Sequence, residues 1–140
     1  MSIKQISILV ENKKGQLAET CKFMAENAIN MRALSIADTQ DYGILRIVCD
    51  EPEKANEVLR EAGYMTMISK VIAVAIEDKP GTMAEILGVL AAAEISVEYT
   101  YAFLSPKAGA YMVFRVDDYK KACEALENAG KKVAKEDELF

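Results

Sequence analysis

Histidine and tryptophan are absent from this 140-residue chain, and proline and cysteine occur three times each. Without an imidazole there is no Ser-His-Asp or Cys-His relay, and most zinc sites are excluded. Cys21, Cys49 and Cys123 are odd in number and widely spaced, so they form neither a CxxC motif nor a disulfide framework. They are expected to be buried small hydrophobes. No GxxxxGK[ST] phosphate loop occurs and no carboxylates pair at a suggestive spacing, so no catalytic residue is expected. No apolar run approaches the roughly 18 residues of a membrane span, and MSIKQISILVENKK lacks a signal-peptide cleavage pattern. A cytoplasmic location is therefore expected. An excess of basic charge is also missing: 17 Lys and Arg stand against 22 Asp and Glu, a net charge of −5. That balance argues against general affinity for nucleic acid or an anionic membrane. No metal or cofactor is expected.

The chain does contain a repeat. ENKKGQLAE at 11–19 and EDKPGTMAE at 77–85 share five of nine residues at an offset of 66. EKANEVLREAG at 53–63 and KKACEALENAG at 120–130 share six of eleven at an offset of 67. One residue has been gained between them, in a hairpin turn where insertion is tolerated.

Hydrophobic spacing gives each half the same order of elements. Ile6, Ile8 and Val10 alternate as a strand, and Leu17, Cys21, Met24 and Ala28 fall at helical spacing after Gly15. Residues 29–37 and 44–50 predict a hairpin across the TQDYG turn. Ala55, Val58, Leu59 and Ala62 predict a second helix capped by Gly63, and 64–69 a closing strand. The second half repeats this with Ile72, Val74 and Ile76, a helix after Gly81, hairpin strands at 95–104 and 110–116, a helix ending at Gly130, and KKVAK as a last strand. The order is βαββαβ twice: an α+β fold of two tandem ferredoxin-like units, 1–69 and 70–140, with antiparallel sheets and helices on one face. Leu17 and Leu87 are among the residues expected in the cores.

The repeated strand–loop–Gly–helix junction is where chemistry is expected. A helix N-terminus leaves backbone N–H groups unpaired and carries partial positive charge. A glycine there lets an anion approach closely. Asn12 or Asp78, just before it, offers oxygen to an ammonium attached to that anion; carboxylate and ammonium one carbon apart describe an amino acid. The same residues also make a good turn with no ligand.

Strand, D-x-P-G or a variant, amphipathic helix and then "IN" or "IS" opening the next strand resembles the ACT-domain pattern, and the resemblance covers nearly the whole chain. The second copy carries the fuller loop, Asp78, Pro80 and Gly81; the first has Lys14 in place of proline and adds Asn30, where the second has Ser96. The resemblance implies a regulatory protein that binds a free amino acid at ACT-domain interfaces and modulates a metabolic enzyme in trans. Backbone N–H groups of Gly15, Gln16 and Leu17, or of Gly81, Thr82 and Met83, would hold the carboxylate. Asn12, Asn30 and Asp78 would hold the ammonium or a side chain. The alternative is an ACT pair without ligand that serves as a regulatory or protein-interaction subunit of an enzyme.

Tyr99, Tyr101 and Phe103 line one face of a strand, but Glu94, Glu98, Asp117 and Asp118 around them contradict an RNA-binding sheet. If Leu34, Ile36, Thr100 and Ala102 face the helices, that aromatic row lies on the opposite face. It then needs a cover from the other half, a second chain or an enzyme. A homodimer is expected.

Overall fold

A computed structural model describes all 140 residues. The elements follow in the order β1 (Ile3–Glu11), α1 (Gln16–Glu26), β2 (Met31–Asp38), β3 (Tyr42–Cys49), α2 (Pro52–Glu61), β4 (Met65–Ala75), α3 (Thr82–Ala92), β5 (Val97–Ser105), β6 (Gly109–Val116), α4 (Tyr119–Asn128) and α5 (Glu136–Leu139). The chain divides into two compact units: an N-terminal unit, Lys4–Ser69, and a C-terminal unit, Lys70–Phe140 together with Met1–Ile3. The boundary falls inside β4. Strand order is β2-β3-β1-β4 in the N-terminal unit and β4-β6-β5 in the C-terminal one. The α+β class and the tandem ferredoxin-like architecture are as the sequence predicts.

Each unit buries one apolar face of its sheet beneath its helices. In the N-terminal unit Ile6, Ile8, Leu45 and Ile47 meet Met24 of α1 and Leu59 of α2. In the C-terminal unit Ile72, Val74 and Phe114 meet Ile86 and Leu90 of α3 and Leu126 of α4. Cys49 and Cys123 are buried and Cys21 is half-buried, all as free thiols. All four long helices end alike. The N–H groups of Ile29, Tyr64, Ile95 and Lys131 reach back to the carbonyls of Met24, Leu59, Leu90 and Leu126 at 2.9–3.1 Å. The residue before each adopts positive φ: Ala28, Gly63, Glu94 and Gly130. Glycine marked only two of these ends in the sequence. The other two use alanine and glutamate at positions 66 apart, so the duplication extends to backbone conformation.

Three expectations are corrected. Residues 64–69 and 72–76 are one continuous strand, β4, because Ser69-Lys70-Val71 holds no glycine or proline to turn the chain. KKVAK is not a strand but a single bridge, Val133 to Val74, and the chain ends in the short helix α5. Leu17 and Leu87 are 40% and 37% exposed. The inner face of α3 is Ile86 and Leu90, which puts Leu87 about 100° around the helix. Leu17 stands a turn ahead of Thr20 and Met24, the buried residues of α1, and borders a cavity instead.

The strand faces are as expected. Leu34 and Ile36 pair with Ile47 and Leu45 of the helix-facing core, and Thr100 pairs with Phe114. Tyr99, Tyr101 and Phe103 therefore lie on the face away from the helices. The cover at Phe103 is the unit's own C-terminus. Leu139 is fully buried, its carbonyl accepts a hydrogen bond from the Ser105 hydroxyl, and the Phe140 ring lies 5.8 Å from that of Phe103.

Candidate functional site

The β1–α1 and β4–α3 junctions are built alike. Lys13 and Lys79 donate their N–H groups to the carbonyls of Glu11 and Glu77, both at 3.0 Å, which tightens each strand into a turn. Gly15 and Gly81 follow as N-caps at φ 81° and 93°, a left-handed conformation that costs residues with a Cβ about 1–2 kcal/mol. A Cβ built on either glycine meets nothing within 4 Å. The backbone conformation, not crowding, demands glycine at these two positions, and the space above each stays open. Each junction also carries an ion pair across the turn, Glu11–Lys13 at 3.0 Å and Glu77–Lys79 at 2.9 Å. These pairs raise both lysines above the ordinary ammonium range, through the hydrogen bond to the glutamate first and its charge second.

The first turns differ in what occupies the N–H groups. The Gln16 N–H donates to the Lys13 carbonyl at 3.2 Å, which removes it from the expected carboxylate donors and leaves Gly15 and Leu17. In the other junction the Thr82 hydroxyl turns back onto the carbonyls of Glu77 (2.8 Å) and Lys79 (3.2 Å). The Met83 side chain packs against the core of its unit.

Beside the first junction lies a cavity of about 280 Å³ lined by Val10, Glu11, Asn12, Lys13, Leu17, Ile36, Asp38 and Gly43. It forms because Gly43, opposite Asp38 in the β2–β3 register, has no side chain to fill the space between Val10 and Ile36. Beside the second junction a cavity of about 310 Å³ opens on the other flank of the loop, lined by Glu77, Lys79, Thr82, Glu85, Ala110, Lys131 and neighbours. Lys131 pairs with Glu85 at 2.7 Å there, and its hydrogen bond holds the Glu85 carboxyl below the usual carboxylate range. Asp78 is exposed and lines neither cavity.

Asn30 is not brought to the loop of its own unit. It precedes β2 at the Cys49 end of β3, whereas the Gly15 loop sits at the Tyr42 end, where the Asn12 N–H donates to the Asp41 carbonyl at 3.0 Å. Asn30 instead borders the same cavity as Asp50, which is gripped by Arg32 through two bonds of 2.7 and 3.2 Å. The Arg32 hydrogen bond is the largest of the effects that hold the Asp50 carboxyl below its ordinary range. Of the residues expected at the first junction, Asn12 and Leu17 line the cavity of about 280 Å³, together with Ile36, Asp38 and Gly43, which the sequence did not single out as site residues. The alternation that put Ile36 on the helix-facing side, with Gly43 across the turn, was the available signal.

The family model described as an ACT domain pair matches residues 1–140. Among solved structures, protein BT0572 from Bacteroides thetaiotaomicron is 34% identical with a TM-score of 0.89, covering 100% of this chain and 96% of that one. The ligand-free regulatory subunit of aspartate kinase from Thermus thermophilus is 16% identical with a TM-score of 0.66, covering 90% of this chain and 91% of that one. The regulatory subunit of aspartate kinase from Thermus flavus superposes with a TM-score of 0.65 at 16% identity, with coverage of 90% and 91%. No curated protein matches the chain.

Proposed function

The chain belongs to the ACT-domain-pair family, and on that premise we propose that it senses a free amino acid at the Gly15 junction and regulates a separate metabolic enzyme. One observation carries the reading. The 280 Å³ cavity beside the first turn of α1 is lined by Leu17 of that turn and by two polar side chains, Asn12 and Asp38. The N–H groups of Gly15 and Leu17 would take the carboxylate, where the helix dipole favours an anion. Asn12 and Asp38 would take the ammonium. The volume lies just below the about 300–1,000 Å³ of drug-sized ligand sites, which suits an amino acid and not a nucleotide.

The homodimer belongs to the same proposal. β2 pairs only with β3, so its outer edge is open, and Leu34 and Ile36 beside it are 53% and 47% exposed. Two copies pairing antiparallel about Ser35 would set Leu34 against Ile36 of the partner copy. Asn30 of one copy would then move toward the Gly15 loop of the other, giving it the role that its own unit denies it. Gly81, Thr82, Met83 and Asp78 would make the corresponding site of the second junction. The solved aspartate kinase regulatory subunits share the fold, and regulation of an enzyme in trans is carried over from them as part of this proposal.

A thermal-shift screen of the whole chain against the twenty amino acids tests the reading. An amino acid at about 100 times its dissociation constant raises stability by about 2.7 kcal/mol. Gly15→Val, which puts a side chain where the carboxylate would sit, should abolish that gain. No stabilisation by any amino acid, with wild-type size and folding intact, overturns the proposal in favour of an ACT pair that only holds a partner protein.

A further inference from the structure

We infer that the Gly15 site selects amino acids with a short aliphatic side chain, of the valine and leucine class; this rests on the ligand reading above. The cavity's lining divides into polar side chains, Glu11, Asn12, Lys13 and Asp38, and apolar ones, Val10, Leu17 and Ile36. With the carboxylate at the N-terminus of α1 and the ammonium at Asn12 and Asp38, the ligand's side chain points toward Val10, Leu17, Ile36 and Gly43. None of these four offers a hydrogen bond from its side chain. The two other charged groups in the lining, Glu11 and Lys13, neutralise each other at 3.0 Å. A hydroxyl or charged side chain entering this space would lose water and gain no partner.

Leu17 and Ile36 keep 40% and 47% of their surface exposed, so an aliphatic ligand has apolar surface left to cover. Gly43 sets the depth. It is buried, its φ is not in the left-handed region, and a Cβ built on it would stand 3.4 Å from Ile36 Cδ1. Alanine there is free of backbone strain and sets a methyl group against Ile36 in the cavity wall.

Titration calorimetry of the wild-type chain with L-leucine, L-valine, L-serine, L-aspartate and L-lysine tests this. Leucine or valine should bind at least about tenfold more tightly than the other three, since one methylene in an apolar pocket is worth about 10–200-fold. Gly43→Ala should lower leucine affinity about tenfold relative to valine. Leu17→Ser, at an exposed helix position that folding does not depend on, should erase the preference for leucine over serine. If serine, aspartate or lysine binds as tightly as leucine and that binding is lost in Gly15→Val, the ligand reading stands and this inference is overturned. Unchanged leucine-to-valine and leucine-to-serine ratios in the two variants overturn it as well. Binding of no amino acid at all overturns both.

Discussion

The junctions Glu11–Gly15 and Glu77–Gly81 share a backbone path, a left-handed glycine, a Glu–Lys ion pair and a cavity on the flank of Gly63 and Tyr64 or of Gly130 and Lys131, and the first junction has a further cavity on its opposite flank. In the N-terminal unit Gly43 leaves space beneath Ile36, and Asn12 and Asp38 border it. In the C-terminal unit the cavity lies toward Gly130 and Lys131, and its lysine and glutamate side chains are paired. Duplication has preserved the turn, which backbone geometry demands. The walls have diverged, because side chains on the flanking strands are under no such demand. A repeated motif therefore identifies where a ligand could bind and not which copy binds it.

The strongest test of equivalence between the copies lies in their cores. Leu59 and Leu126 occupy the same place in the repeat, and neither is exposed. Leu59→Ala and Leu126→Ala should each destabilise by about 2–5 kcal/mol in urea denaturation. Equal losses in one cooperative transition mark the copies as energetically matched; two separate transitions would break the comparison.

Ligand affinity should separate the loops next. Asn12→Ala removes a hydrogen bond to a charged ligand group, worth about 1.5–3 kcal/mol, and should weaken amino-acid binding roughly tenfold or more. Asp78→Ala should leave the site at the first junction unchanged. Calorimetry that finds the reverse order assigns the working site to the second junction.

A smaller difference separates the caps of α2 and α4. Asp118 accepts a hydrogen bond from the Lys121 N–H at 3.1 Å, whereas Glu51, at the matching place, makes no side-chain cap bond. Asp118→Ala should cost about 1 kcal/mol and Glu51→Ala close to nothing in thermal denaturation.

The smallest effect expected is in acid. Asp50 beside Arg32 and Glu85 beside Lys131 are depressed in the folded state, each by its hydrogen bond to the basic partner first. A depressed carboxyl contributes stability above its unfolded value, near pH 4, and loses it as pH falls through the lower folded value. Both pairs are solvent-exposed, so Asp50→Asn and Glu85→Gln should each only slightly flatten the fall of Tm below about pH 4. A variant with an unchanged acid limb shows that its pair contributes nothing.

Local pattern was sufficient for the duplication, the βαββαβ order and the two glycine N-caps. Alternation, helical spacing and the need for positive φ are properties of a few neighbouring residues. The strand faces of Leu34, Ile36, Tyr99 and Phe103 were legible for the same reason: parity along a strand decides them. Other features depend on residues far apart in the chain. Leu17 and Ile36 meet across a cavity because Gly43, on a third element, leaves room for it. Asn30 lies away from the Gly15 loop because β2 runs parallel to β1, carrying its start to the other end of the sheet. Phe103 is covered by Phe140 because the C-terminal residues fold back onto its strand instead of pairing as one. Spacing along the chain specifies which elements form, and packing between distant elements decides which of their side chains share a site.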